Sequence, residues 1–191
     1  VLYLAAAVWA VWYARPSAGR GYGWVVALIV AGMIGLAVSF GVRWATWGRT
    51  PLTTMSDSLN VFVFLASGVV ISRLRGPALR SVLAVCLPIL SILMILAAGF
   101  ARVHFSTAPR ALPSAPLLIH VGLAFLAYAL FFVAGGLGVV YIYQAHQLKK
   151  GSADALIRPL ASLELLDHAL SRLVAAGYVT FAITVMLGLL W

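Results

Sequence analysis

Four histidines, at positions 104, 120, 146 and 168, are the residues of this chain best suited to bind a metal. His120 is the most unusual of them, because it is the fourth residue of the apolar run LLIHVGLAFLAYALFF, residues 117–132. An ionisable side chain within a segment of membrane depth is costly and is therefore a functional candidate. Neutral imidazole is a good axial ligand for heme iron. The alternative is a structural histidine at a helix end, bonded to a backbone carbonyl or a nearby hydroxyl.

A second group of candidate residues lies in the segment RWATWGRTPLTTMSDSL, residues 43–59, where two tryptophans lie between two arginines: Arg43, Trp44, Trp47 and Arg49. A flat aromatic surface with cations beside it suits a large planar anion. Heme is such an anion, because its ring stacks on indole and its carboxylates pair with guanidinium groups. The alternative is an interfacial belt, since tryptophan and arginine are common at bilayer edges. Asp57, which enters the next apolar run, is a candidate helix N-cap.

The other histidines have weaker claims to a ligand role. His104 lies in a proline-containing loop, where it is either a second ligand or a solvated side chain. His146 and His168 lie near Lys149 and Asp167, and we expect them to be snorkelling or ion-paired residues at a membrane edge.

The composition indicates which elements must position these residues. The chain has 191 residues, of which 64% are hydrophobic and 9% charged, with a mean hydropathy of +1.08. A soluble domain of this length would need far more charge on its surface. The apolar runs are long and continuous, unlike the alternating segments of a membrane β-barrel. The sequence therefore predicts an all-α fold, a polytopic transmembrane helical bundle.

Six candidate spans are predicted, at residues 1–14, 22–42, 58–71, 80–100, 116–143 and 170–191. The third is short unless it extends over 55–74, and the fifth is long enough to project from the bilayer. Residues 152–171 show leucines at helical spacing with charged residues between them, which predicts an amphipathic interfacial helix capped by Ser152. The run AGGLG at 134–138 and the single cysteine, Cys86, are expected to serve helix packing.

The distribution of basic residues predicts the orientation of these spans. Nine of the 13 lysines and arginines fall in alternate connections, at positions 15, 20, 73, 75, 80, 149, 150, 158 and 172. The positive-inside rule assigns those connections to the cytoplasm, so His120 is expected on the external side. The net charge of +9 is accordingly interpreted as orientation and as contact with membrane lipid headgroups, and no nucleic-acid partner is expected. We expect one integral membrane domain over residues 1–191, and a chain that begins at Val1 and stops at Trp191 within an apolar run suggests a fragment of a longer protein.

Three stretches of the chain resemble motifs of the cytochrome c assembly proteins of the CcsA/ResC type. Residues 43–65, RWATWGRTPLTTMSDSLNVFVFL, are similar to RW…GHxPLxNxYESLxFL. Residues 117–131, LLIHVGLAFLAYALF, are similar to HVxLxxLxYALF. Residues 162–191, SLELLDHALSRLVAAGYVTFAITVMLGLLW, are similar to SLExLDxLxYRLxxxGFxxLTxGxxxGxxW. The order and spacing of the three also agree, so the resemblance covers nearly the whole chain.

The resemblance implies heme handling at the external face of a bacterial cytoplasmic membrane or a thylakoid membrane. Proteins of this type transport or receive heme b together with a CcsB/ResB-type membrane partner, and present it for attachment to the CxxCH cysteines of apocytochrome c. The histidine at the head of the HV helix is an axial heme ligand in the family, and this role falls on His120. No residue here resembles a general acid or base, so we expect no stand-alone enzyme but a component of a heme-attachment complex.

The chain also departs from the family pattern. Arg49 stands where the family often has histidine, Thr54 where it has asparagine, Ser56 where it has tyrosine and Asp57 where it has glutamate. The tryptophan-rich WxxWxWDPxE segment and a second external histidine would follow Trp191. A HemX-like, non-enzymatic regulator or scaffold of heme metabolism therefore stays open as an alternative. A small-molecule transporter is a third hypothesis, disfavoured because no span carries a charge at mid-membrane depth.

Overall fold

The computed structural model describes residues 2–13, 22–47, 54–101, 115–150 and 161–189. Within these ranges every regular element is a helix, in the order α1 (Leu2–Tyr13), α2 (Tyr22–Trp47), α3 (Met55–Arg73), α4 (Gly76–Phe100), α5 (Ala115–Lys149) and α6 (Leu163–Leu189). Five of them, α2 to α6, are long and apolar enough to cross a membrane. The predicted all-α, polytopic membrane architecture is thereby confirmed.

The outer faces of the helices are as apolar as the faces that meet in the core. Exposed side chains include Ile34 on α2, Ile92 on α4 and Ile142 on α5, while Ile29, Leu87 and Leu137 on the same helices are buried. A soluble bundle would put polar residues on the first set of positions. An apolar surface all round is expected of helices whose solvent is lipid.

Helices α2 to α6 are all longer than the predicted spans, and the lengths of α3 and α5 bear on two specific predictions. α3 covers Met55–Arg73, which agrees with the longer of the two predicted versions of the third span. α5 continues to Lys149 and has 35 residues, so at 1.5 Å per residue it is about 52 Å long. The hydrocarbon core of a bilayer is about 30 Å thick, so α5 projects beyond it as predicted.

α5 and α6 form the most extensive helix pair, and the pair is antiparallel. Three contacts define its register: His120 with Gly188, Phe131 with Gly177 and Gln144 with Ala161. In the last of these, the Gln144 side-chain amide donates to the Ala161 carbonyl at 3.1 Å. Gln144 is buried, so this hydrogen bond satisfies a polar group that lipid could not.

The remaining helices pack in a continuous arrangement on this pair. α3 contacts α4 and α5, while α1 contacts α2 and α4. α2 packs on α1 and α3, so α3 lies between α2 and the α5–α6 pair. The connection from α3 to α4 is short, with only Leu74 and Arg75 between the two helices.

Small residues allow the closest helix contacts. A Cβ atom on Gly136 would lie 2.5 Å from the Cys86 sulfur, so α4 and α5 meet closely at this pair. The predicted packing role of the AGGLG run is confirmed at Gly136, whereas Gly135 and Gly138 face open space. Cys86 is a free, fully buried thiol, as predicted for a core residue.

Tyr3 ties α1 to three other helices. Its hydroxyl lies 3.0 Å from the Ser67 hydroxyl on α3, and its carbonyl accepts a hydrogen bond from the Ser91 hydroxyl on α4 at 2.9 Å. Its ring covers Gly32 on α2, where an added Cβ would lie 2.7 Å from a ring carbon. All the polar groups of this contact are neutral.

The structure corrects the prediction of a separate interfacial helix over its second half. Residues 163–171 are the first turns of α6, which continues without interruption to Leu189. Ser162 precedes the helix, and its hydroxyl accepts a hydrogen bond from the Leu165 N–H at 3.3 Å, as an N-cap does. The predicted cap, Ser152, and residues 151–160 lie outside the described residues. The leucine spacing of 163–171 thus belongs to the polar end of a spanning helix.

Candidate functional site

One end of the bundle collects most of the predicted site residues. The antiparallel arrangement brings together the C-terminal ends of α2, α4 and α6 and the N-terminal ends of α3 and α5. His120 lies in the second turn of α5, and Arg43 and Trp44 lie near the end of α2. Two further predicted residues, Arg49 and His104, fall outside the described residues.

His120 is seated on a glycine of the neighbouring helix. A Cβ atom added to Gly188 would lie 2.8 Å from Cε1 of the imidazole and 3.4 Å from Nδ1. Any larger residue at this position would therefore displace the ring. Pro116, Leu117 and Leu187 complete a cleft of about 170 Å³ around the two residues, which we call the His120 cleft.

The imidazole has a buried nitrogen without a partner. Among the described residues, Nδ1 of His120 is buried and forms no hydrogen bond. A neutral imidazole has one donor and one acceptor nitrogen, so Nδ1 lacks a partner in either tautomer. Leaving such a group unpaired costs about 1–3 kcal/mol. The structural alternative for His120, a bond from this nitrogen to a carbonyl or hydroxyl, is not observed in the described residues.

A partly buried ion pair lies at the same end of the bundle. The Arg43 guanidinium donates to the Asp57 carboxylate at 2.5 Å, with Arg43 41% exposed and Asp57 5% exposed. Asp57 is not the N-cap of α3: the cap is Thr54, whose hydroxyl accepts a hydrogen bond from the Asp57 N–H at 3.1 Å. Asp57 lies in the first turn, where the helix dipole stabilises an acid. A guanidinium has five N–H donors, so this pair occupies only part of the donor capacity of Arg43.

Trp44 has the position of an interfacial anchor. It is 59% exposed, and Trp24 at the opposite end of α2 is 67% exposed. The two are 20 residues apart, which corresponds to about 30 Å along a helix, the thickness of the hydrocarbon core. This spacing favours the interfacial-belt interpretation of Trp44. Trp47 is the last residue of α2.

The predicted residues therefore form two groups at one end of the bundle. The His120 cleft is built from α5 and α6, and the Arg43–Asp57 pair from α2 and α3. Within the described ranges, no hydrogen bond or ring contact joins the two groups. Nor do three or more His, Cys, Asp or Glu side chains cluster there as a metal site.

Gly188 is a site residue that the sequence analysis did not single out. It coincides with the second glycine of the quoted motif segment GxxxGxxW, and Gly177 coincides with the earlier motif glycine before an aromatic residue. These two glycines hold the rings of His120 and Phe131. Their agreement with the motif was the available signal, but their contact with α5 is visible only in the folded chain.

Comparison with known proteins decides the family. Residues 52–191 match the family model described as Cytochrome C assembly protein, which is more than half of the chain. The chain belongs to the cytochrome C assembly protein family. Neither a search of curated proteins nor a search of solved structures found a significant match.

The family match covers one part of the site and not the other. The matched range of this cytochrome C assembly protein includes α3 to α6, and with them His120, Gly188 and Asp57. Arg43 and Trp44 on α2 precede the matched range. The protein is thus an integral membrane protein of cytochrome c biogenesis, in which the His120 cleft belongs to the part shared with the family.

Proposed function

We propose that this protein binds heme b through His120 at the external face of the membrane and presents it for attachment to apocytochrome c. A CcsB/ResB-type membrane partner would share this task. The observation that carries the proposal is the buried Nδ1 of His120 without a partner in an apolar cleft. An imidazole bound to a metal through one nitrogen usually donates its other nitrogen to a further group, so both the iron and that group would come from outside the described residues.

The described residues fit one side of a heme site. The cleft of about 170 Å³ is smaller than the roughly 300–1,000 Å³ of pockets that enclose a ligand. It holds the imidazole and does not enclose a porphyrin. The remaining surface of the heme site would therefore be supplied by other segments or by the partner.

Heme, when bound, would supply the iron that the imidazole ligates and the vinyl groups that react with cysteine thiols. The contribution of this chain is to hold and orient. Gly188 sets the plane of the His120 ring, because the ring packs directly on its backbone. The apolar walls of Pro116, Leu117 and Leu187 limit the access of water to the ring. Arg43 offers its remaining donors to a propionate at the same end of the bundle.

The charge distribution supports an external position for His120. Six basic residues of the described ranges lie at or near the opposite end: Arg73, Arg75, Arg80, Lys149, Lys150 and Arg172. At the His120 end, Arg43 is the one basic residue among the described residues, and it is paired with Asp57. The positive-inside rule assigns the more basic end to the cytoplasm.

The ligand role of His120 is tested by the absorption spectrum of heme in the full chain purified with its partner. We expect the Soret band of His120→Ala and of His120→Phe to shift or weaken relative to the wild type. Added imidazole should restore the band in His120→Ala, where the cleft is vacant, but not in His120→Phe, where a phenyl ring fills it. Phe131→Leu, about three helical turns deeper on the same helix face, is the control and should leave the band unchanged.

An unchanged Soret band in both His120 variants would contradict the axial-ligand role. If those variants also supported normal cytochrome c assembly, the HemX-like regulator or scaffold would be the better description. A transporter has no comparable support, since the buried polar groups of the described helices are neutral apart from Asp57, which lies at a helix end.

A further inference from the structure

The end of the bundle opposite His120 carries a second and larger cleft. It has a volume of about 420 Å³ and lies between the α3–α4 connection and the first turns of α6. Four basic or titratable side chains line it: Arg73, Arg75, His168 and Arg172. We call it the arginine cleft. The proposed heme function does not use it.

The three guanidinium groups of the arginine cleft share no counter-charge with the described residues. None of Arg73, Arg75 and Arg172 forms a side-chain hydrogen bond or ion pair there, and all three are exposed. Asp167 is next to His168 in the chain but is not part of the lining. Like charges held in one cleft repel each other, so an anion bound between them would be stabilised by all three.

The backbone of the α3–α4 connection adds to this positive potential. Gly76, the first residue of α4, has φ +55°, a conformation that favours glycine, and Leu74, two residues earlier, is buried. Arg75 is the N-cap of α4 and makes no side-chain capping hydrogen bond. Pro77 has no N–H group, so the uncapped N–H groups in the first three residues of α4 are those of Gly76 and Ala78. Ala78 lines the cleft. An uncapped helix N-terminus favours an anion.

The rest of the lining is apolar and leads towards the membrane. Leu173 and Ala176 lie on α6 beyond Arg172, farther along the helix in the direction of its spanning part. Leu165 and Ala169 form the other apolar wall. A small soluble anion would gain nothing from these walls, whereas the first carbons of an acyl chain would be buried by them.

We propose that the arginine cleft binds the phosphate headgroup of an anionic phospholipid, with an acyl chain lying along Leu173 and Ala176. The phosphate lies between the guanidinium groups of Arg73 and Arg172 and faces the N-terminus of α4. The bound lipid bridges the α3–α4 connection and α6, two elements that otherwise have few contacts with each other. The site gives the protein a specific lipid at the membrane edge that the positive-inside rule assigns to the cytoplasm.

Native mass spectrometry of the full chain in detergent tests this proposal. Phosphatidylglycerol and phosphatidylcholine with identical acyl chains are titrated against the wild type, Arg73→Gln, Arg172→Gln and Lys149→Gln. Lys149 is an exposed cation at the same end of the bundle that does not line the cleft. We expect the wild type to prefer phosphatidylglycerol, and each arginine variant to bind it about fivefold more weakly. Lys149→Gln should bind as the wild type does.

Three results would overturn the proposal. Equal binding of the two lipids, or a loss in Lys149→Gln as large as in the arginine variants, would show general surface attraction. Displacement of phosphatidylglycerol by millimolar glycerol phosphate or inorganic phosphate would show a site for a soluble anion. Melting temperatures in lipid-free detergent confirm that each variant is folded. Arg75→Gln, outside the helices, replaces any variant that is not.

Discussion

The α5–α6 pair contains two contacts between a ring and a glycine, one made by a phenyl ring and the other by an imidazole. Phe131 packs on Gly177 and His120 packs on Gly188, and in each case a Cβ on the glycine would lie 2.8 Å from the ring. The two rings are 11 residues apart on α5, and the two glycines are 11 residues apart on α6. Eleven residues are close to three helical turns, so both contacts lie on one face of the pair.

The surroundings of the two rings show what packing alone explains. Phe131 faces a buried glycine and has an aromatic neighbour, Phe181, with ring centroids 6.4 Å apart. A phenyl ring satisfies this contact completely. A phenyl ring would fill the His120 position equally well, and without a buried nitrogen that lacks a partner. Packing therefore accounts for a ring at residue 120 but not for an imidazole, and this difference supports a ligand role.

The largest effect is expected from adding a methyl group under the imidazole. Gly188→Ala should displace the His120 ring and weaken heme binding about 10- to 100-fold, as changes behind a metal ligand commonly do. Heme titration of the purified protein, followed at the Soret band, measures it. Gly177→Ala is the matched control on the same helix face and should keep its heme affinity. Equal heme affinity in Gly188→Ala and the wild type would show that the position of the His120 ring does not affect heme binding.

For the stability of the protein, in contrast to heme binding, the larger effect is expected from Gly177→Ala and the smaller from Gly188→Ala. Gly177→Ala should lower the free energy of unfolding by about 1–3 kcal/mol, because Gly177 is buried and the new methyl group must displace the Phe131 ring that packs on it. Gly188→Ala should cost less, since Gly188 is exposed at the helix end and the His120 ring can move outwards. Unfolding in mixed micelles of increasing SDS fraction compares the two. A larger loss of stability in Gly188→Ala than in Gly177→Ala would contradict this order and would show that the His120 ring cannot move outwards.

A smaller loss of stability is expected when the buried carboxylate of Asp57 loses the guanidinium of Arg43. Arg43→Ala takes the guanidinium from Asp57, which is 5% exposed. We expect a loss of about 1–2 kcal/mol, less than for a fully buried pair because Arg43 is 41% exposed. Asp57→Asn combined with Arg43→Ala should recover part of it. The same unfolding assay measures both, and no recovery in the double variant would assign the loss to packing of the Arg43 stem.

The smallest effect on stability is expected from His120→Phe, which turns the imidazole–glycine contact into a phenyl–glycine contact like that of Phe131. His120→Phe should leave the free energy of unfolding unchanged or raise it by up to about 1 kcal/mol, because it removes an unpaired nitrogen and keeps the ring. His120→Ala should lower it by leaving a cavity. A clear loss of stability in His120→Phe, measured without heme, would show that the nitrogen has a structural partner in the complete protein.

Local patterns were sufficient for the helices and misleading at some of their ends. The apolar runs predicted the spans because lipid imposes a continuous stretch of apolar residues on each one. The leucine spacing at 163–171 did not reveal that these residues open α6, because an interfacial helix and the polar end of a span have the same period. Asp57 was predicted as the N-cap of α3 by residue type, and this prediction was wrong because α3 begins at Met55, which makes Thr54 the cap.

By itself the sequence determined the membrane class, the order of the five spans α2 to α6 and the singular character of His120, because these follow from residue type and from distances along one helix. The predicted first span, residues 1–14, corresponds to α1, which has 12 residues and is not among the helices long enough to cross a membrane. The tertiary structure decided what His120 touches. Its contact with Gly188, the pairing of Arg43 with Asp57 and the grouping of three arginines in one cleft each join separate helices. Such contacts depend on the rotation and register of one helix against another, which are set by the packing of the whole bundle.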